Sequence, residues 1–441
     1  FNDFIQAIYR IYRFGQGKEV EIHIIYAESE QAILEALKQK WEQHNHLVGE
    51  MVRIIRENGL ASTNVMEKLA RTIHMDRNEV KGKHYTAIFN DNCLELPSMA
   101  DNSIDLIHTS IPFSNHYEYT PTYNDFGHNA DNAKFFEQMD YLTPHLLRVL
   151  KPGRVAAIHV KDRILFGNAT GTGMPTVDRF SDKTADHFES HGFQFMGRIT
   201  VVTDVVRENN QTYRLGWTEQ CKDGTKMGVG CEEYIMLFRK LPTDTSRAYA
   251  DDPVVKSKDD YTRARWQIDA HGFWRSSGNR LLTEAELREC PVSELQKFYR
   301  EYSRETVYDY HEHVQLAEDL EEEGKLPSSF MVVAPGSCAE WVWDDVNRMI
   351  TLNSDQKRKD LTMHICPLQI DIVERIIERY SMKGETVFDP FAGLFTVPYQ
   401  AVRMGRYGIG TELNKESFKD GLAYLKAADM EVGAPTLFDM L

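Results

Sequence analysis

Residues 386–393 (TVFDPFAG) decide the fold of this chain, together with residues 104–113 (IDLIHTSIPF) far upstream. Each stretch is an apolar run of strand length that ends in a turn with a proline and an aromatic residue. A glycine and a helical pattern follow the first run, as in many parallel sheets that hold a nucleoside cofactor at their carboxyl edge. A polar group beside an aromatic ring, at the end of the second run, can hold a flat ring with an exocyclic amine. The pair therefore predicts an α/β fold with a cofactor site.

Composition sets few limits on this prediction. The 441 residues, 42% hydrophobic and 27% charged, suffice for two or three globular domains. No run approaches the roughly 20 apolar residues of a membrane span, and no signal peptide opens the chain. The six cysteines are scattered without a C-x-x-C pair, so we expect free thiols, a reducing cytoplasm and no structural zinc or other metal.

Positive charge is concentrated in one segment, residues 256–280, although the net charge of −16 argues mildly against a nucleic-acid partner. Basic side chains alternate there with aromatic ones, a pattern that suits a surface for phosphates and stacked bases. A solvated loop with a few core aromatic residues explains the segment alone equally well. The predicted DNA-binding cations are Lys256, Lys258, Arg263, Arg265, Arg275 and Arg280.

The two motifs resemble those of the amino-methylating DNA methyltransferases, which modify N6 of adenine or N4 of cytosine. The catalytic motif precedes the cofactor motif, which is the order of the permuted β group of that family. The resemblance covers most of residues 84–165 and 360–427. It implies a Rossmann-like S-adenosylmethionine-dependent fold, a mostly parallel sheet with helices on both faces.

The resemblance implies that the catalytic residues are Ser110, Ile111, Pro112 and Phe113. Ser110 and the carbonyl of Ile111 would bond the target amine, and Phe113 would stack on the extruded base. Two acceptors favour a pyramidal nitrogen whose lone pair can attack, so the chemistry is positioning and electrostatics. Ile111 replaces the first of two prolines in the family pattern, which loosens the turn. The loop at residues 115–119 is expected to cover the pocket.

The cofactor site is also implied by the resemblance. Asp91 would accept from the adenine amine of S-adenosylmethionine, and Glu412 would bond its ribose hydroxyls. Phe395 occupies a glycine position of the family pattern, so we expect it either to form a wall of the pocket or to block it. The implied cofactor-binding residues are Asp91, Pro367, Asp389, Pro390, Phe391, Gly393, Thr396, Glu412 and Asn414.

Near the start of the chain, residues 6–16 (QAIYRIYRFGQ) resemble the last motif of superfamily-two helicases and chromatin-remodeller ATPases. The resemblance implies that Gln6, Arg10 and Arg13 face the γ-phosphate of ATP. No G-x-x-x-x-G-K-[ST] loop and no D-E-x-H box occurs in the sequence. We interpret the segment as the tail of a helicase-like module whose motor is encoded upstream or was removed. A surface helix with two solvated arginines is the alternative.

The leading hypothesis is a site-specific methyltransferase that acts on a flipped base in double-stranded DNA, with N4 of cytosine slightly favoured over N6 of adenine. The alternative is a catalytically decayed DNA-binding or assembly module, and methylation of RNA or a small molecule is a third. A helicase partner, no membrane, and the cytoplasm of a prokaryotic or phage-infected cell with a restriction-modification system are expected by analogy. The predicted segments are a helicase tail (1–75), a catalytic half (76–165), a target-recognition region (166–290), a helical connector (291–359) and a cofactor-binding half (360–441).

Overall fold

The computed structural model describes most of the chain between residues 77 and 433. The described residues are 77–114, 118–120, 124–202, 221–226, 231–272, 284–291, 293–294, 310–325, 341–343, 350–353 and 367–433, with single positions 23, 35, 38, 71 and 346. Within these ranges, no helix has the length and apolar character that crossing a membrane requires.

A nine-stranded sheet forms the centre of the described part. Its strands are β1 (Asn78–Lys81), β2 (Tyr85–Phe89), β3 (Ile104–Ser110), β4 (Leu150–Lys161), β7 (Gln194–Val201), β8 (Glu233–Arg239), β9 (Val342–Trp343), β10 (Thr386–Asp389) and β11 (Tyr407–Glu412). Strands β5 (Arg163–Leu165) and β6 (Thr176–Asp178) pair separately. The order across the sheet is β1-β2-β11-β10-β3-β4-β8-β7-β9. The five neighbouring strands β2, β11, β10, β3 and β4 are parallel, and β8 is antiparallel to β4.

Helices cover both faces of this sheet. They are α1 (Asn92–Glu95), α2 (Asn132–Met139), α3 (Thr143–Val149), α4 (Gly167–Thr170), α5 (Phe180–Ser190), α6 (Arg263–Gly272), α7 (Glu284–Glu289), α8 (Tyr310–Glu322), α9 (Ile370–Tyr380), α10 (Thr396–Arg403) and α11 (Lys415–Gly433). The apolar pattern over residues 135–150 indicates one helix, but the structure has two, α2 and α3. Pro144 lies in the first turn of α3, where its missing N–H is tolerated and a preceding helix cannot continue through it.

Apolar packing explains why the central strands read as nearly continuous hydrophobic runs, since both faces of a mostly parallel sheet are covered. On one face, Ile107, Ile158 and Phe388 pack in the same buried cluster as residues of α2, α3 and α5. On the other face, Leu106 and Val387 pack with the apolar side of α9. The structure confirms the strands predicted within residues 104–113 and 386–393, and it confirms the α/β fold with a mostly parallel sheet.

The segment predicted for target recognition, residues 166–290, contains strands β7 and β8 of the central sheet. Strand β8 pairs with β4 along seven residues, so it belongs to the same core as β3, the strand that precedes the predicted catalytic turn. Part of this segment is thus structural core, because its apolar strands complete the sheet. The boundaries proposed for all five segments, this one included, stay predictions.

Candidate active site

A cleft opens at the carboxyl ends of β3, β10 and β11. The registers pair Phe388 with both Ile107 and Ile409, so the three strands run side by side and end at one edge. Adjacent parallel strands that end together place the side chains that follow them around a common space. Measured to its open mouth, and with the solvent space there included, the cleft encloses about 880 Å³ of empty space.

Most of the residues predicted from the two motifs line this cleft. Three predicted residues do not: Ile111 is buried in the core, Phe113 packs edge-on to Phe180 at 6.3 Å, and Asn414 lies behind Glu412. The predicted residues that line the cleft are Ser110 and Pro112 of the catalytic turn, and Asp91, Pro367, Asp389, Pro390, Phe391, Gly393, Thr396 and Glu412 of the cofactor set.

Glu412, at the end of β11, is held by two backbone amides. The N–H of Gly393 donates to its Oε2 at 2.7 Å, and the N–H of Asn414 donates to its Oε1 at 2.6 Å. Burial raises the pKa of Glu412 to about 8; the two amides oppose that shift, and the nearby carboxylates of Asp389 and Asp125 add to it. The side chain is thus fixed in place while its charge is poorly compensated.

Asp389, at the end of β10, is equally buried. The N–H of Phe391 donates to its Oδ1 at 3.0 Å, which forms the turn that carries Pro390. Burial raises the pKa of Asp389 to about 7, against the opposing effect of the Thr109 hydroxyl and the Phe391 amide. Within the described residues, the hydrogen-bond partners of this carboxylate are neutral donors.

Asp91, at the start of α1, is a buried carboxylate of a different kind. Its Oδ2 accepts from Arg71 Nη1 and from Asn124 Nδ2, both at 2.7 Å. Its Oδ1 accepts from the N–H of Cys93 at 2.7 Å and so caps the helix. Sequence reasoning assigned Asp91 to the cofactor's adenine amine, but the structure already engages both of its oxygens with protein donors.

A loop around residue 125 forms a wall of the cleft that sequence reasoning missed. Asp125 organises this loop by accepting from the N–H groups of Tyr119, Thr120 and Gly127 at 2.6–2.7 Å. Phe126 packs edge-on to Phe391 at 5.3 Å. The only signal for this wall was the polar, aromatic character of the residues after the catalytic turn; of the predicted cover, Tyr119 lines the cleft, and residues 115–117 lie outside the described part. The other lining residues missed are Asn92, Asn124, Leu368, Ala392, Leu394, Thr411 and Leu413.

Phe395 neither forms a wall of the cleft nor blocks it, which corrects the expectation from the sequence. Its backbone is left-handed (φ 61°), and its buried ring points into a cluster with Phe418, 5.9 Å away. Space for the ring comes from Gly410 and Gly421, where a Cβ atom would lie 2.7 and 2.4 Å from it. Two glycines elsewhere therefore compensate for the glycine that is missing here.

The basic segment is more nearly neutral than the sequence predicts. Lys256 and Arg265 contact Glu378 at 3.4 and 3.1 Å, and Arg263 contacts Glu321 at 2.8 Å. Two acidic side chains, one on α9 and one on α8, thus pair with three of the predicted DNA-binding cations. Lys258 is exposed. The predicted residues Arg275, Arg280, Arg10 and Arg13 lie outside the described residues.

The parallel sheet, the acidic residues at adjacent strand ends and the Ser-Ile-Pro-Phe turn beside them define a Rossmann-like methyltransferase of the S-adenosylmethionine-dependent class. The chain belongs to the N6/N4 DNA methylase family, whose sequence pattern matches residues 104–423, nearly three quarters of its length. This confirms the family suggested by the two motifs.

Individual relatives are more distant. Over 57 residues the chain is 46% identical to the DNA adenine methyltransferase YhdJ of Escherichia coli K12, a match that covers 13% of this chain and 19% of that relative. The PvuII DNA methyltransferase (cytosine-N4-specific) is 11% identical, with a TM-score of 0.44 over 80% of this chain and 93% of that one. A candidate DNA modification methylase of Thermus thermophilus, in complex with S-adenosyl-L-methionine, is 16% identical, with a TM-score of 0.41 over 77% of this chain and 92% of that one. TM-scores this low support no inference about the site.

Proposed function

We propose that this chain transfers a methyl group from S-adenosylmethionine to an exocyclic amine of a base flipped out of double-stranded DNA. The observation that carries the proposal is that the Ser110 turn and the acidic ends of β10 and β11 line one cleft. Because β3 and β10 are direct neighbours, a base held at Ser110 lies next to a cofactor held at Asp389 and Glu412. Membership of the DNA methylase family supports the same assignment.

The residues of the cleft fit the cofactor. Glu412 offers a pre-oriented carboxylate for ribose hydroxyls, and Asp389 offers a second acceptor within the same wall. Two buried polar atoms in the wall, Thr411 Oγ1 and Asn92 Oδ1, have no hydrogen-bond partner among the described residues. Buried polar atoms are nearly always paired, so orphaned ones at a cleft indicate where a polar ligand binds.

The reaction requires little from the protein beyond positioning. When bound, the cofactor supplies an electrophilic methyl group on a positively charged sulfur. Ser110 Oγ and the carbonyl oxygen of Ile111 would accept the amine's two N–H bonds and direct its lone pair at that methyl. The amine would gain the methyl group, the cofactor would leave as a neutral thioether, and one proton of the amine would pass to solvent. Phe113 is half-buried against Phe180 outside the lining of the cleft, and its stacking on the base rests on the family resemblance.

The base is proposed to be cytosine, methylated at N4, in preference to adenine at N6. Ser110 supports this preference, because the family resemblance associates an aspartate at this position with adenine. Both amines present the same geometry to the two acceptors, so the preference is slight. The positions of the two motifs in the chain support assignment to the permuted β group.

Radiolabelled S-adenosylmethionine and mixed-sequence duplex DNA test the proposal. We expect label in the DNA, and a loss of about 100-fold or more with Ser110→Ala, because a donor–acceptor aimed at the reacting group is removed. Cofactor affinity, measured by calorimetry, should not change in that variant. Ser98→Ala is the matched control, since Ser98 lies outside the cleft and bonds a backbone carbonyl. Digestion to nucleosides then identifies the methylated base.

Three outcomes would contradict the proposal. Equal labelling by the wild type and Ser110→Ala would remove Ser110 from the reaction. Failure to bind the cofactor would favour the alternative, a decayed DNA-binding or assembly module. RNA competing as well as duplex DNA would reassign the substrate.

We also propose that residues 1–75 act with a helicase-like ATPase, either a partner or another part of the same polypeptide. The support is the resemblance of residues 6–16 to a helicase motif. DNA-stimulated ATP hydrolysis by that ATPase together with this chain should fall with Arg13→Ala. Unchanged hydrolysis would favour a surface helix with two solvated arginines.

A further inference from the structure

A cluster of two histidines and an aspartate lies at the ends of α2 and α5, outside the lining of the cleft. Asp140 follows α2, and His187 and His191 lie four residues apart at the end of α5, so both rings are on one side of that helix. One ligand atom from each residue falls within 4.8 Å of the other two. His187 is buried, His191 is partly buried, and Asp140 is exposed, so the group is open to solvent on one side.

In each histidine, the ring nitrogen that is farther from Asp140 already has a protein group as its hydrogen-bond partner. His191 Nδ1 lies 2.9 Å from the backbone oxygen of His187, and because a carbonyl only accepts, this nitrogen carries the hydrogen. His187 Nε2 lies 2.8 Å from the Thr143 hydroxyl. In metal sites, the outer nitrogen of a ligand histidine is bonded in this way, which fixes the ring and leaves the other nitrogen's lone pair for the metal.

The inner atoms then face one another. His187 Nδ1 and His191 Nε2 lie 3.7 and 3.2 Å from Asp140 Oδ1. When both rings are neutral and carry their hydrogens on the outer nitrogens, these three atoms offer lone pairs to a cation placed among them. Ligands bound at 2.0–2.2 Å in a tetrahedral zinc site are about 3.4 Å apart, close to both distances.

We propose that Asp140, His187 and His191 form a binding site for a divalent transition-metal ion of the zinc type, with water as the fourth ligand. Two imidazoles and a carboxylate are a ligand set that zinc accepts.

The ion would join the break between α2 and α3 to the end of α5. The neighbouring packing continues from this point towards the cleft: the His187 ring lies 5.0 Å from Phe136, and Phe135 lies 6.3 Å from Phe126, which lines the cleft. Phe135 and Phe136 are themselves in edge contact at 5.1 Å. The ion would therefore stabilise the helices behind one wall of the candidate active site without touching cofactor or base.

Metal binding by the whole chain tests this site. Chelator-treated protein, with its thiols kept reduced, is titrated with Zn²⁺ by calorimetry and with Co²⁺ by visible absorption. We expect one equivalent with tetrahedral Co²⁺ absorption, and a rise in melting temperature with Zn²⁺. His191→Gln and Asp140→Asn should each weaken this binding by more than about 100-fold, because each loses a ligand. Thr143→Val should weaken it by about 10- to 100-fold, because it loses only an outer partner.

The matched control is His84→Gln. His84 also pairs with a carboxylate, Asp429, at 2.7 Å, but it belongs to no metal-ligand cluster of the described residues. This variant should bind Zn²⁺ like the wild type. Circular dichroism shows whether each variant is folded. His191→Gln is the variant that should disturb folding least, because the His191 ring is at the helix end. A wild-type chain that binds no Zn²⁺, or binding that survives both His191→Gln and Asp140→Asn, would overturn the proposal.

Discussion

Two kinds of buried carboxylate meet at the cleft. Asp91 is ion-paired with Arg71 and also accepts from Asn124 and a backbone amide. Asp389 and Glu412, at the ends of neighbouring strands, accept only from neutral donors in the described part of the chain, and burial raises the pKa of each, to about 7 and about 8. All three line the same space.

The difference separates a carboxylate that stabilises the fold from carboxylates that are available to bind a ligand. A carboxylate that already has a buried counter-charge contributes to stability and has little to gain from a ligand. A carboxylate held in place without a counter-charge costs stability, and that cost is recovered when a positively charged or hydroxyl-bearing ligand binds. Substitutions at the two kinds of carboxylate should therefore have opposite consequences.

Asp91→Asn should have the largest effect on stability. It breaks a buried ion pair, and we expect the free energy of unfolding in urea to fall by about 3–5 kcal/mol. Glu79→Gln is the matched control: it removes a carboxylate from a more exposed pair with Arg77 and should cost less than about 1 kcal/mol. A loss as small as the control's would show that Asp91 is not a structural residue.

The pH dependence of stability should reveal the other two carboxylates. Because the folded protein keeps protons that the unfolded chain loses above the ordinary values of 3.8 and 4.5, stability falls as pH rises towards about 7 for Asp389 and about 8 for Glu412. The buried His108 and His187, with pKa values lowered to about 4, act in the opposite sense only below 6.5.

The informative window is therefore pH 6.5 to 8. There, we expect Glu412 to contribute a loss of up to about 2 kcal/mol, measured by urea unfolding at several pH values. The Glu412→Gln variant should have a flatter profile across this window. Parallel profiles for the wild type and the variant would mean that Glu412 is ionised throughout and that the comparison with Asp91 fails.

The same variant should separate stability from cofactor binding. At pH 8, Glu412→Gln should be at least as stable as the wild type, whereas its affinity for S-adenosylmethionine should fall by about 10- to 100-fold, because hydrogen bonds to a charged group are lost. Calorimetric titration measures the affinity. Glu416→Gln, on the exposed first turn of α11, is the control and should bind like the wild type. Unchanged affinity in Glu412→Gln would exclude this residue from the cofactor site.

The sequence was sufficient to predict the parts of the cleft that are formed by consecutive residues. Each apolar strand and the turn after it are adjacent residues, so the ends of β3, β10 and β11 could be read directly and assigned to one sheet edge. The parallel sheet follows from the same runs, which are apolar on both faces.

Contacts between distant residues could not be read in this way. Arg71 reaches Asp91 across 20 positions, and Arg265 reaches Glu378 across 113. Nothing in either segment specifies its partner. The sequence therefore predicted Asp91 as a ligand-binding residue and Arg265 as a cation that is available to bind DNA. The position of Phe395 depended likewise on Gly410 and Gly421, which provide space from another strand and another helix.

Thr411 provides the finest test of the comparison, because its effect should be the smallest. Its buried hydroxyl lines the cleft beside Glu412 and has no hydrogen-bond partner among the described residues. Thr411→Val keeps the shape of the side chain and removes only the polar atom. If the hydroxyl is available to bind the cofactor, the stability of Thr411→Val should stay equal or rise slightly. Its affinity for S-adenosylmethionine should fall by about 2- to 10-fold, the value of one neutral hydrogen bond.

Thr86→Val is the control, since the Thr86 hydroxyl bonds Tyr407 at 2.8 Å outside the cleft, so its removal should affect stability alone. A Thr411→Val variant that loses stability and keeps its affinity would place this hydroxyl with Asp91, among the groups that hold the fold.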